Sequence, residues 1–168
     1  MNTVNLNENT DKNTNRKIAL ITGGSRGLGK SAALHLARKG IDVILTYQSK
    51  QAEALAVVAE IEAMGGRAVA LALDVAQIAT FPTFTQTLRE TLQRDWQREQ
   101  FDFLVNNAGF GIHTPFAETS EVQFDQLMGV HFKGVFFLTQ SLLPLIADGG
   151  RILNVSTGLS RFTLPGFS

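Results

Sequence analysis

Five short apolar runs separated by longer helical patterns constrain this chain more than any other feature. Residues 17–22 (KIALIT), 41–47 (IDVILTY), 67–73 (RAVALAL), 101–105 (FDFLV) and 151–155 (RILNV) read as buried strands. Between them lie a helix over 27–39 stopped by Gly40 and an alanine-rich helix over 50–64 closed by Gly65 and Gly66. The first of these carries Leu28, Ala32, Ala33 and Leu36 on its expected apolar side. A third helix opens near Pro82 with Phe81, Phe84, Leu88, Leu92 and Trp96 as its stripe, and a fourth, long helix covers 121–147. Strand and helix in alternation build βαβ units with right-handed crossovers. The expected fold class is therefore α/β, a doubly wound parallel sheet with helices on both faces and five strands present.

Composition narrows the chemistry. At 168 residues the chain predicts one domain, over residues 16–168, preceded by a disordered polar tail over 1–15. The tail holds six Asn and three Thr and no apolar run, so it lacks the hydrophobic stretch of a secretory signal. Fifteen basic and fifteen acidic residues cancel, which leaves no basic excess for nucleic acid. With no cysteine there is no disulfide scaffold, thiolate metal site or cysteine nucleophile, and His35, His113 and His131 are too scattered for a metal cluster. The apolar region 127–147 is interrupted by His131, Lys133, Gln140 and Pro144, so it predicts a buried helix and not a membrane span. A cytoplasmic enzyme or small-molecule binding domain is the expectation.

In an open parallel sheet, ligands bind beyond the carboxyl ends of the strands, where strand order reverses. Those ends read Thr22-Gly23-Gly24-Ser25-Arg26-Gly27-Leu28-Gly29, Thr46-Tyr47-Gln48-Ser49, Asp74-Val75, Asn106-Asn107-Ala108-Gly109 and Ser156-Thr157-Gly158. In the first, Gly23 allows a tight turn, Gly27 a close approach to a pyrophosphate, and Gly29 close packing of helix on strand. The N–H groups opening the helix then face the phosphates.

The spacing Thr-Gly-x-x-x-Gly-x-Gly, the Asn106-Asn107-Ala108-Gly109 run and the 150–157 segment (GRILNVST) resemble the short-chain dehydrogenase/reductase family, classical type. The resemblance runs from about Lys17 to the end of the chain. It implies a Rossmann-type three-layer α/β/α domain, a nicotinamide dinucleotide, and hydride transfer between a carbonyl and an alcohol of a small-molecule substrate. It assigns Gly23, Ser25, Arg26, Gly27, Leu28 and Gly29 to the pyrophosphate and adenosine ribose. Asp74 and Val75 bracket the adenine, although an Asp at that place also serves as a turn cap. Asn107, Ala108 and Gly109 pass under the nicotinamide ribose, and Tyr47 ends strand two on the adenosine side. NADP(H) is expected over NAD(H), because strand two ends without an acid and Arg26 can grip a 2′-phosphate.

The catalytic hydroxyl of the family aligns with Thr157, with Ser156 one place before it as the alternative, and either could instead satisfy backbone at a turn. The helix position that is asparagine in the family is His131 here, read as a satisfied, partly buried histidine. By the family's spacing the Tyr-x-x-x-Lys pair falls just past Ser168. The expectation is an N-terminal portion of a longer reductase or a truncated gene product. A non-catalytic dinucleotide-binding module or an inactive fragment is the alternative. Family members pair through the fourth and fifth helices as homo-oligomers; only the fourth lies within these residues, which argues against that assembly for them. Strand five becomes an open edge. Phe110, Gly111, Ile112 and His113, with residues 158–162, are the substrate-facing candidates.

Overall fold

The computed structural model describes residues 16–162 and 164–167; the tail expected over 1–15 lies outside the described residues. Five strands, β1 (Ile18–Ile21), β2 (Asp42–Tyr47), β3 (Ala68–Ala72), β4 (Phe101–Asn106) and β5 (Ile146–Asn154), form one parallel sheet in the order β3-β2-β1-β4-β5. The chain winds outward from β1 to β3, then crosses back to lay β4 on the other side of β1. The order therefore reverses between β1 and β4, as a doubly wound sheet requires.

Side chains alternate across the central strands and feed two separate cores. Ile18, Leu20 and Ile44 face α3 (Phe81–Trp96) and α5 (Val135–Leu142), joining Phe81, Phe84, Leu88, Leu92, Trp96, Leu138 and Leu142. Ile21, Val43 and Leu45 face α1 (Gly27–Arg38) and α2 (Gln51–Ala63), joining Ala33, Ala37, Ala54, Val57 and Ile61. The apolar stripe read for the third helix is buried as expected. That of the first is shifted: Gly29, Ala33 and Ala37 are buried while Leu28 is 63% exposed. Small residues let α1 lie close to the sheet, and Leu28 is left at the helix mouth.

Two carboxylates fasten the amino-end edge of the sheet. Asp42 is fully buried and accepts from Trp96 Nε1 at 2.8 Å and from Arg67 N at 3.2 Å, with Arg16 at 3.3 Å. Asp102 accepts from Ile18 N at 2.9 Å, Lys17 Nζ at 2.8 Å and Arg98 Nη1 at 2.9 Å. Arg98 leaves α3 just after the left-handed Gln97 (φ 51°), so the end of that helix is aimed at β4.

The fourth helical region differs from the expected single helix over 121–147. It starts at α4 (Glu121–Met128), where Ser120 and Gln123 form a reciprocal capping box. It then passes through a π-turn at Gly129–Gly134 and continues as α5 to Leu142. Pro144 sits in a closing 3₁₀ turn, Leu143–Leu145, and the strand assignment begins at Ile146. Ladder pairing is irregular there: Phe101 pairs with Ile146, but Phe103 already pairs with Arg151. The glycine pair Gly149 and Gly150 lies within this slack, and regular pairing starts at Arg151, where the apolar run had placed the strand. β5 is the open edge, with Ile152 and Leu153 exposed.

Candidate active site

A cavity of about 870 Å³ opens at the carboxyl ends of the strands, over the switch point between β1 and β4. Every residue carried over from the resemblance to the cofactor side lines it: Gly23, Ser25, Arg26, Gly27, Leu28, Gly29, Tyr47, Asp74, Val75, Asn107, Ala108 and Gly109. Gln48 and Ser49, read at the end of strand two, line it as well, with Lys50 beside them; the sequence reading missed Leu73 and Ala76 beside Asp74, and Gln126, Val130 and Val155. The helical ones were hidden because their inward direction depends on how α4 and its π-turn are set. Ser49 and Lys50 follow directly from β2 and were legible as neighbours of Tyr47.

The floor of the cavity is stitched from two turns. Thr22 Oγ1 accepts from both Asn107 N and Ala108 N at 3.0 Å. Asn107 Nδ2 returns bonds to the carbonyls of Thr22 at 2.9 Å and Gly23 at 3.1 Å. Gly23 N donates to Thr46 Oγ1 at 3.2 Å, which ties in β2. Gly23 holds φ +67° with Ala108 against it, so a side chain there would be strained and crowded at once. A Cβ on Gly29 would collide with the Gly23 carbonyl and lie 2.5 Å from Asn107 Nδ2. The glycines are thus required by packing between the turn and the start of α1.

The helix start is open toward the cavity. Arg26 is the N-cap in extended conformation and makes no capping bond, and the first turn of α1 contains no acid. Its leading N–H groups and the positive end of the helix dipole are therefore directed at whatever fills that end. A Cβ on Gly27 would meet nothing within 4 Å, so the wall is hollow at that point. Across the cavity Asp74 is held at both oxygens: Ala76 N donates to Oδ1 at 2.9 Å and Gln48 Nε2 to Oδ2 at 3.0 Å. The turn-cap role of Asp74 is thereby present, and each carboxylate oxygen keeps a further lone-pair direction for a ligand donor.

Ser156 and Thr157 follow Val155, which lines the cavity, but they are not themselves lining residues. Both are exposed, and the Thr157 hydroxyl accepts from Leu159 N at 3.2 Å at the start of a 3₁₀ turn, Gly158–Ser160. Of the substrate-facing candidates, Phe110 lines the cavity. His113 packs edge-on against Phe167 with centroids 5.2 Å apart, and Thr114 N donates to Gly166 O at 2.7 Å, so residues 166–167 strap the loop after β4. His131 is exposed, not partly buried as expected; it is nonetheless satisfied, since it lies against the loop after β4 with Nε2 2.7 Å from the Phe110 carbonyl.

A five-stranded doubly wound sheet with a glycine turn, a bare helix start and a cavity at the switch point defines a Rossmann-type α/β domain. The family model for short chain dehydrogenases matches residues 17–168, and the chain belongs to that family. It is 33% identical over 150 residues to the hydroxynaphthalene reductase-like protein Arp2 of Metarhizium brunneum, covering 89% of this chain and 54% of that protein. Among solved structures it resembles the landomycin C-6 ketoreductase LanV with bound NADP and rabelomycin (TM-score 0.87, 35% identity, 92% of this chain and 63% of that one). It also resembles a short chain dehydrogenase from Burkholderia cenocepacia in complex with NADP (TM-score 0.80, 34% identity, 89% and 59%). The chain spans about half the length of the curated relatives it matches. Among the described residues no helix is long and apolar enough to cross a membrane.

Proposed function

We propose that this chain is the cofactor-binding part of an NADP(H)-dependent oxidoreductase that interconverts a carbonyl compound and its alcohol. The observation that carries this reading is the uncapped start of α1 opening beside Arg26 into a large cavity with Ser49 and Lys50 on its β2 side and no acid there. Two cationic side chains and a hydroxyl at that place suit a 2′-phosphate, whereas NAD would call for a carboxylate. The hollow at Gly27 leaves room for the pyrophosphate against the helix N–H groups, and the closely packed turns at Gly23 and Gly29 keep that room fixed. Relatives whose structures hold NADP support the same choice.

In this reading Asp74 and Val75 bracket the adenine, and Asn107, Ala108 and Gly109 carry the nicotinamide ribose. When bound, the nicotinamide supplies or takes up a hydride. Thr157, with Ser156 as the alternative, holds the substrate oxygen; a hydroxyl that accepts from Leu159 N can also donate to a developing oxyanion. The one tyrosine of the sequence, Tyr47, lies on the adenosine side and takes no part in proton transfer. The substrate is a small molecule entering past Phe110, and the protein acts in the cytoplasm as the domain over residues 16–168.

Fluorescence titration of the chain with NADPH, NADH and an Arg26→Ala variant tests the proposal. Saturable binding that prefers NADPH and weakens about ten- to a hundredfold in the variant is expected, since a charge-assisted bond contributes about 1.5–3 kcal/mol. Equal affinity for the two cofactors, or no binding by dispersed folded protein, sinks it.

A further inference from the structure

We propose that His131 is a positioning residue, which fixes the backbone of Gly109 and Phe110 where it forms the cavity wall. The inference rests on reading that cavity as the dinucleotide site. His131 sits within the π-turn Gly129–Gly134, the one departure from α-geometry between α4 and α5. Its Nε2 is 2.7 Å from the Phe110 carbonyl oxygen. The Phe110 amide nitrogen lies 3.3 Å from the same Nε2, and one nitrogen cannot both donate and accept. The shorter contact sets the proton on Nε2, donating to the carbonyl.

Packing reinforces the bond. A Cβ on Gly109 would lie 2.6 Å from His131 Cε1, so the imidazole presses directly on the bare Gly109 backbone. The rings of Phe110 and His131 are 5.8 Å apart and tilted by 35°. The same π-turn is braced on a second strand end, because Gly134 abuts the Val75 carbonyl with no space for a side chain. Val130, between these two anchors, lines the cavity. One irregular turn thus touches the ends of β3 and β4 and presents a side chain between them. The extra residue per turn in a π-turn is a local cost that tends to persist at functional positions.

The experiment compares the wild-type chain with His131→Gln, which keeps a donor, and His131→Leu, which does not. Long-range 1H–15N spectra of the three histidines should show His131, identified by its loss in the variants, as the Nε2–H tautomer. Amide exchange over residues 109–112 should quicken about three- to tenfold in His131→Leu, the loss of one hydrogen bond, and stay within about twofold of wild type in His131→Gln. NADPH affinity should fall in the same pattern. An Nδ1–H tautomer, or exchange in His131→Leu equal to wild type, overturns the proposal. So does His131→Gln exchanging as fast as His131→Leu. If His131→Leu fails to fold, the tautomer and His131→Gln decide. If wild type shows the expected tautomer and exchange but no NADPH binding, the positioning role stands and the dinucleotide reading falls.

Discussion

Asp102 shows how a buried charge is kept. Burial pushes its carboxyl pKa up, but the bonds from Arg98, Lys17 and the Ile18 N–H outweigh that and hold it below the ordinary carboxylate value. A group with a lower pKa when folded binds fewer protons in the folded state, so it contributes stability above the unfolded value, about 3.9. That contribution is lost as pH falls through the folded value. Urea unfolding should therefore show a falling midpoint between about pH 5 and pH 3. Asp102→Asn should lose about 2–3 kcal/mol at neutral pH and show a shallower acid limb. An unchanged slope in the variant would place the acid sensitivity elsewhere.

The stripe on α3 runs Phe81, Phe84, Leu88, Leu92, Trp96, and all five are buried. Leu88→Ala should cost about 2–5 kcal/mol in denaturant unfolding while leaving NADPH affinity unchanged, because Leu88 is fully buried in the core under α3 and does not line the cavity. This helix was legible because its periodicity is regular and its start carries a proline. The long fourth region was not. A π-turn shifts the inward face by a fraction of a turn without changing residue types, so no apolar spacing betrays it. The strand β5 was legible only from Arg151, since residues 146–150 join it through irregular pairing that apolar patterning does not encode. At the site, the glycine turn and the Asn107-Ala108-Gly109 run could be read from local spacing. The bonds from Asn107 to Thr22 and Gly23 span more than eighty residues and could be read only from the fold.

Burial is graded across the sheet. β1 and most of β2 and β4 are fully enclosed between the two cores, while β5 is exposed along most of its length. Hydrogen exchange should accordingly be slowest in β1, β2 and β4 and fastest among strands in β5, with β3 between them. Uniform protection across all five would show that something covers the β5 side in solution.

The two carboxylates Asp42 and Asp102 stand at the amino-end edge of the sheet, and the cavity opens at the carboxyl-end edge. The molecule is polarised in what its parts are for. Mutations drifting through the loops at the open end change what is recognised, while the anchors that keep the strands in register lie beyond their reach. For a protein engineer this makes the chain a platform: a library confined to residues 48–50 and 110–113 would vary specificity on a scaffold whose fasteners remain untouched.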